Sequence, residues 1–271
     1  MDSFLTELLS QAEQRGTAFI PCSTGLGRPH LGELGCGRVL LITLCPLYGR
    51  RDRYLRRVID GPSASLEADR TAMRITLVGS RHFGVTTLNM LRQHGVEIAG
   101  VVVADAEDRL AAAARAAGIE VRVQANPKRV AASEIADRTD LIVTAHSHTR
   151  ISREALAAAK LGGIGYHPSL LPRHRGIAAV EWTIKEGDPI AGGTIYHLAD
   201  RMDAGAIAAQ EWLFVKKGET ARELWERALA PLGQKLLAEV IDYARNHKTL
   251  RATPQDEQFA TKAPALTDGK D

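Results

Sequence analysis

From Met73 onward the hydrophobic and polar positions of the chain switch between two periods. RITLVG is a compact apolar run of buried-strand type, Phe83 to His94 recurs at helical spacing, Ile98 to Ala104 reads as a second strand, and Asp108 to Ala117 as an alanine-rich helix. Glu120 to Val123 predicts a short strand, Asp140 to Ala145 (DLIVTA) a fourth, Ser152 to Lys160 a helix, and Gly163 to Tyr166 a further strand. Strands and helices in this alternation imply right-handed crossovers. The fold class is therefore α/β, a mostly parallel Rossmann-like sheet with helices on both faces. Ligands of such sheets bind beyond the carboxyl ends of the strands, near the point where strand order reverses. GGTIYHLA and AIAAQEWLFV then predict two longer strands with a turn at Asp203 to Gly205, and Thr220 to Asn246 predicts a helical tail.

Upstream of Met73 this pattern dissolves. Phe4 to Gln14 has an amphipathic helical spacing and Val39 to Leu44 suits a short strand, but PCSTGLGRPHLGELGCG scatters glycine and proline without a period. Composition shifts at the same place. All three cysteines, Cys22, Cys36 and Cys45, precede Met73, where every basic side chain is an arginine, as in RRDRYLRR; lysines follow only after it. Residues 1–72 are accordingly expected to be an appendage, translated from a start codon upstream of the natural one, and residues 73–271 the catalytic domain. A genuine accessory segment is the alternative, and mass spectrometry of the native chain separates the two.

Composition narrows the class further. Of 271 residues, 45% are apolar, enough for a well-formed core, and 25% are charged. The net charge of +3 neither demands nor excludes an anionic substrate, and there is no basic stripe of the kind nucleic-acid binders carry. No apolar run approaches a membrane span, and MDSFLTELLSQAEQ has acids where a secretory signal has bases, so a cytoplasmic protein is expected. An odd number of cysteines without ligand spacing points to neither a disulfide framework nor a zinc site.

Several motifs carry candidate chemistry. GSRHFG, after the first strand, is a turn that either presents amides to an anion or merely packs strand and helix closely. His146 and His148 stand two apart at the end of the fourth strand, a metal pair lacking a third ligand nearby, so no metal is expected. In GYHPSLLPRHRG, Pro168 and Pro172 stiffen a loop around Ser169, Leu170 and Leu171, immediately after the strand that delivers His167. Arg173 and Arg175 form a basic rim, read as a contact for an anion or as structural ion pairs. Asp203, in the DAG turn, is a carboxylate that the fold can bring beside His167, a pairing suited to general acid and base chemistry on an acyl-type group.

Taken together, GYHPSLLPRHRG, EWTIKEGD and GGTIYHLADRMDAGAIAAQ resemble the folate-dependent formyltransferase family. VGSRHFGVTTLNMLRQHGVEIAGVVVAD looks like that family's opening strand, helix and strand, and PQDEQFAT like its closing element. The resemblance runs from about Met73 to about Ala265 and implies the formyltransferase version of the sheet. The branches it is most similar to are the amino-terminal hydrolase domain of formyltetrahydrofolate dehydrogenase and the catalytic domain of methionyl-tRNA formyltransferase.

The resemblance implies a catalytic histidine at His167, a catalytic aspartate at Asp203 and, two residues before the histidine, an asparagine. This chain has Gly165 at that position. A missing oxyanion donor costs about 3 kcal/mol of activation free energy, so another group takes over, His167 in its cationic form being the candidate, or transfer to an amine is impaired. The implied substrate and formyl donor is 10-formyltetrahydrofolate. Its pterin is expected against His148, Thr149, Arg150 and Ile151 and against Ala199, Asp200 and Met202. Hydrolysis to tetrahydrofolate and formate is the leading expectation. Transfer to an amine, of methionyl-tRNA, glycinamide ribonucleotide or an amino sugar nucleotide, and a folate-binding protein whose catalysis has lapsed are the alternatives. No nicotinamide chemistry is expected, and nucleic acid and membrane are not expected as partners.

Overall fold

The computed structural model describes residues 72–266. The helix expected at Phe4 to Gln14, the strand at Val39 to Leu44 and the cysteines lie outside the described residues.

The opening strand β1 (Arg74–Gly79) leads into α1 (Arg81–Gln93), β2 (Glu97–Val103), α2 (Arg109–Ala116) and β3 (Val121–Val123). The chain then makes a two-residue strand β4 (Arg129–Val130), followed by β5 (Leu141–Ala145), the equally short β6 (Arg150–Ile151), α3 (Arg153–Ala158) and β7 (Gly163–His167). Next come α4 (Ala179–Lys185), β8 (Ile190–His197), β9 (Ile207–Phe214), α5 (Ala221–Leu224) and the long α6 (Ala230–His247). Seven strands form one sheet in the order β3-β2-β1-β5-β7-β8-β9, and β4 pairs with β6 apart from it. The first five are parallel; β8 runs antiparallel to β7, and β9 to β8. From β1 the chain steps outward to β2 and β3, then returns to β5 on the other side. Strand order therefore reverses between β1 and β5, which opens a crevice beyond their carboxyl ends.

The strands bury side chains on both faces, and the period of two sorts them. Ile75, Leu77, Val101, Val103, Leu141 and Val143 join one core, packed with Leu88 and Leu91 of α1 and Leu236, Leu237 and Ile241 of α6. The intervening Val78, Val102 and Ile142 join a second core with Ile151 and Ala155. The expected helices begin a residue early at two places because their first residue is a cap: Asp108 accepts from the Leu110 amide and Ser152 from the Ala155 amide. The helical tail contains an unforeseen wide turn at Trp225 to Leu229. Pro231 lacks the N–H that would close a regular turn there, and the hydroxyl of Tyr166 donates to the Leu229 carbonyl at 2.6 Å. The wide turn leaves the Trp225 ring against Phe83, whose ring also stacks on Tyr166. No helix among the described residues is long and apolar enough to cross a membrane.

Three sequence expectations change. EWTIKEGD, left without an element, contributes most of α4. β4 and β6, two residues each, were too short to read from periodicity. His167 does not follow its strand but is the last residue of it.

Candidate active site

The loop from Pro168 to Ala178 is fastened on every side. Ser169 Oγ donates to the Arg173 carbonyl at 2.6 Å, while Thr194 Oγ1, on β8, donates to the Ser169 carbonyl at 2.7 Å. Gln210 of β9 reaches the Leu171 carbonyl at 3.0 Å. The arginines that looked like a basic rim are structural. Arg173 forks onto Asp188 at 2.7 and 3.0 Å and onto Glu186 at 2.5 Å; Arg175 holds Gln255 and Glu257. Burial works to raise the Asp188 pKa, but bonds from Arg173 and His174 outweigh it and lower it. These bonds hold the loop, and with it the His174 carbonyl, against the sheet.

The His174 carbonyl accepts a hydrogen bond from Nε2 of His167 at 2.8 Å. That fixes the tautomer: the proton sits on Nε2, and Nδ1 is bare toward Asp203, whose Oδ2 is 3.6 Å away. Both residues are buried, each 6% exposed. Burial pushes the His167 pKa down, and the charge of Asp203 with the His174 bond offsets only part of it. This direction favours the neutral imidazole, a base, over the cation, which was one of the two alternatives raised by Gly165. The imidazole of His167, followed by NMR, is expected to titrate below the ordinary 6.5 and, in Asp203→Asn, lower still, because the charge that favours the cation is gone. A midpoint above 6.5 contradicts this reading.

Asp203 is held by two donors. The Gly176 amide donates to Oδ2 at 2.9 Å and the Tyr196 hydroxyl to Oδ1 at 2.7 Å. Burial first, then the charge of Asp203, raise the Tyr196 pKa well above its ordinary value, so this phenol keeps its proton and remains a donor. Asp203 adopts a left-handed backbone, φ 54°. Gln255 braces the turn by donating through Nε2 to the carbonyls of Asp203 and Gly205. Tyr196, Gly176 and Gln255 went unnoticed at the sequence level. Each lay inside a quoted motif, Gly176 at the end of GYHPSLLPRHRG, Tyr196 in GGTIYHLA and Gln255 in PQDEQFAT, but nothing in the spacing singled it out.

His167, Asp203, Tyr196 and Gly176 border one cavity of about 520 Å³, within the range of small-molecule sites. Its lining includes His167, Asp203, His148, Thr149, Arg150, Ile151, Ala199 and Met202, so the two expected binding segments meet across it. Asp200 is the exception: its exposed carboxylate pairs with Arg153, away from the lining. Gly165 offers no side chain to the cavity. A Cβ built there would stand 2.5 Å from Oγ1 of Thr144 and 3.3 Å from the Tyr196 ring, so neighbours already fill the space an asparagine needs. Phe83, Tyr166 and Trp225 also line the cavity.

His146 and His148 meet edge to face, ring centroids 5.4 Å apart, on the cavity wall. Burial first, with the neighbouring His148 and Arg81, lowers the His146 pKa. Among the described residues no third ligand-type group joins them; the only ligand-spaced trio is His174, Glu186 and Asp188, whose carboxylates Arg173 already engages. The GSRHFG turn serves packing: a Cβ at Gly79 would strike the Ala145 carbonyl, and the Arg81 amide at the helix start is taken by Asp108.

The sequence pattern of the family described as Formyl transferase matches residues 73–241. The chain is 34% identical over 200 residues to mitochondrial 10-formyltetrahydrofolate dehydrogenase of Mus musculus, covering 70% of this chain and 22% of that protein. It is 29% identical over 220 residues to methionyl-tRNA formyltransferase of Desulfotalea psychrophila, covering 76% and 67%. The chain thus spans about a fifth of the length of the dehydrogenase it matches. Among solved structures, the N-formyltransferase of Helicobacter canadensis in complex with folinic acid and dTDP-3-aminofucose superposes with a TM-score of 0.59 at 17% identity, over 70% of each chain. At that identity the likeness is one of fold.

Proposed function

The chain belongs to the formyl transferase family, and from that premise we propose that it binds 10-formyltetrahydrofolate in the cavity beyond β5 and β7 and passes the formyl group to water. The catalytic unit of this reading is residues 73–271, with His167 and Asp203 as its catalytic pair. One observation carries it. Nδ1 of His167 and Oδ2 of Asp203 face each other 3.6 Å apart, and in the neutral imidazole, whose proton is on Nε2, both are acceptors. A water that donates one proton to each satisfies both, and is thereby held and polarised as a nucleophile.

The water oxygen attacks the formyl carbon, forming a C–O bond while His167 Nδ1 takes one proton. The carbonyl electron pair moves onto oxygen and returns as the C–N10 bond breaks. N10 leaves with the proton carried by His167, giving tetrahydrofolate, and the second water proton passes through Asp203 to solvent as formate departs. Atoms and charge balance: one water is consumed, and formate and one proton are released. The segments His148 to Ile151 and Ala199 to Met202 are assigned to the pterin, with Arg150 and Arg201 lining the same cavity to meet an anionic tail.

A primary amine also has two protons to donate, so transfer to an amine is the second reading; the similarity to a methionyl-tRNA formyltransferase supports it. The test is release of formate from 10-formyltetrahydrofolate with no amine present. Turnover is expected, and it should fall by about 10³-fold in His167→Ala. Binding without turnover in the parent protein contradicts the proposal and supports the lapsed alternative.

A further inference from the structure

We propose that the hydroxyl of Thr144 is the oxyanion donor of this site, standing in the space that Gly165 leaves open. The inference rests on the reading above, since it concerns the oxygen of the same formyl group. Gly165 and His167 are two apart on β7 and face the same way. In register with Gly165 stand Thr144 on β5 and Tyr196 on β8, so three neighbouring strands present their side chains at one spot. Because position 165 lacks a Cβ, the neighbours close in, and Oγ1 of Thr144 lies 2.5 Å from where that Cβ would be.

Two hydroxyls therefore flank the glycine, and they are not equivalent. Tyr196 is committed to Asp203 at 2.7 Å. Thr144 has only the Ile164 carbonyl, at a long 3.4 Å, so its proton is available to a better acceptor. Thr144 is 8% exposed and lines the cavity together with His167 and Asp203. A donor in that setting is screened little by solvent, and its branched side chain on a central strand needs little reorganisation. As water adds to the formyl carbon, the hydroxyl donates a hydrogen bond to the oxygen that gains the electron pair. It gives up no proton, and the bond weakens again when C=O re-forms and C–N10 breaks. Gly165 is then one half of an exchange in which the other half is a hydroxyl on the adjacent strand.

The exchange makes a specific test available. Thr144→Val removes the donor and keeps the shape; kcat should fall about 10²-fold or more, with the dissociation constant for 10-formyltetrahydrofolate within about two-fold of the parent. Thr144→Ser should retain most of kcat. Gly165→Asn alone, which forces the Thr144 hydroxyl aside, should lower kcat. The pair Thr144→Ala with Gly165→Asn, in which an amide takes the vacated space, should exceed Thr144→Ala by at least about ten-fold. Parent-like kcat in Thr144→Val, with the parent active, overturns the proposal alone. A parent without turnover or transfer overturns the reading beneath it as well.

Discussion

Asp203→Ala is expected to lower turnover by about 10³-fold or more and to destabilise the fold in the same stroke. The carboxylate does two things at once. Through Oδ2 it faces the bare Nδ1 of His167, and without it the attacking water loses one of its two acceptors. It also accepts from the Gly176 amide and the Tyr196 hydroxyl, and truncation leaves both donors with no partner. A buried donor stripped of its partner costs about 1–3 kcal/mol, so a fall in melting temperature should accompany the lost activity. Asp203→Asn separates the two effects. Its amide keeps the size and one acceptor oxygen but removes the charge; the melting temperature should recover most of the loss while formate release does not. An Asn variant with parent-like turnover contradicts the role given to Asp203.

The second large effect concerns the residue that closes the DAG turn. A Cβ at Gly205 would fall inside the carbonyl oxygen of His197, which is backbone and has no rotamer to escape into. The turn cannot open to make room without releasing Gln255 Nε2 from the carbonyls of Asp203 and Gly205, or the His197 amide from Ala206. Gly205→Ala therefore forces a backbone shift of the overpacking kind, at about 1–3 kcal/mol. For a domain of this size each kcal/mol lowers the melting temperature by roughly 2–4 °C. Because Asp203 sits in a left-handed conformation two residues earlier, the shift should also draw its carboxylate away from His167, and turnover should fall by an amount comparable to Asp203→Asn. Calorimetry and formate release on one preparation check both. A variant that melts and turns over like the parent shows that the turn has slack that these contacts deny.

The strand and helix order was legible because β1, β2, β5 and β7 are apolar runs bounded by glycine or polar turns, each with a helix between. Asp108 and Ser152 were misread as first helical residues because a cap belongs to its helix in sequence but not in backbone conformation. β4 and β6 escaped notice because two residues make only one strand period, and α4 because seven residues make fewer than two helical turns. Motif and resemblance single out His167 and Asp203 as candidates, and the structure sets them 3.6 Å apart, but the contacts around them are not legible there. The tautomer of His167 is set by the His174 carbonyl, and the position of Asp203 by Tyr196 and Gly176, pairings made by tertiary structure and carried by no local spacing. Gly165 looked like a loss when taken alone. Only the register of β5 against β7 shows Thr144 filling the gap.

Water, held between His167 and Asp203, is the proposed formyl acceptor. Its most direct test is turnover of 10-formyltetrahydrofolate in water enriched in ¹⁸O, with the product formate analysed by mass spectrometry before exchange. One ¹⁸O atom per formate, in step with tetrahydrofolate appearing and lost in His167→Ala, is the expected result; no labelled formate, with the formyl group found instead on an added amine, contradicts it.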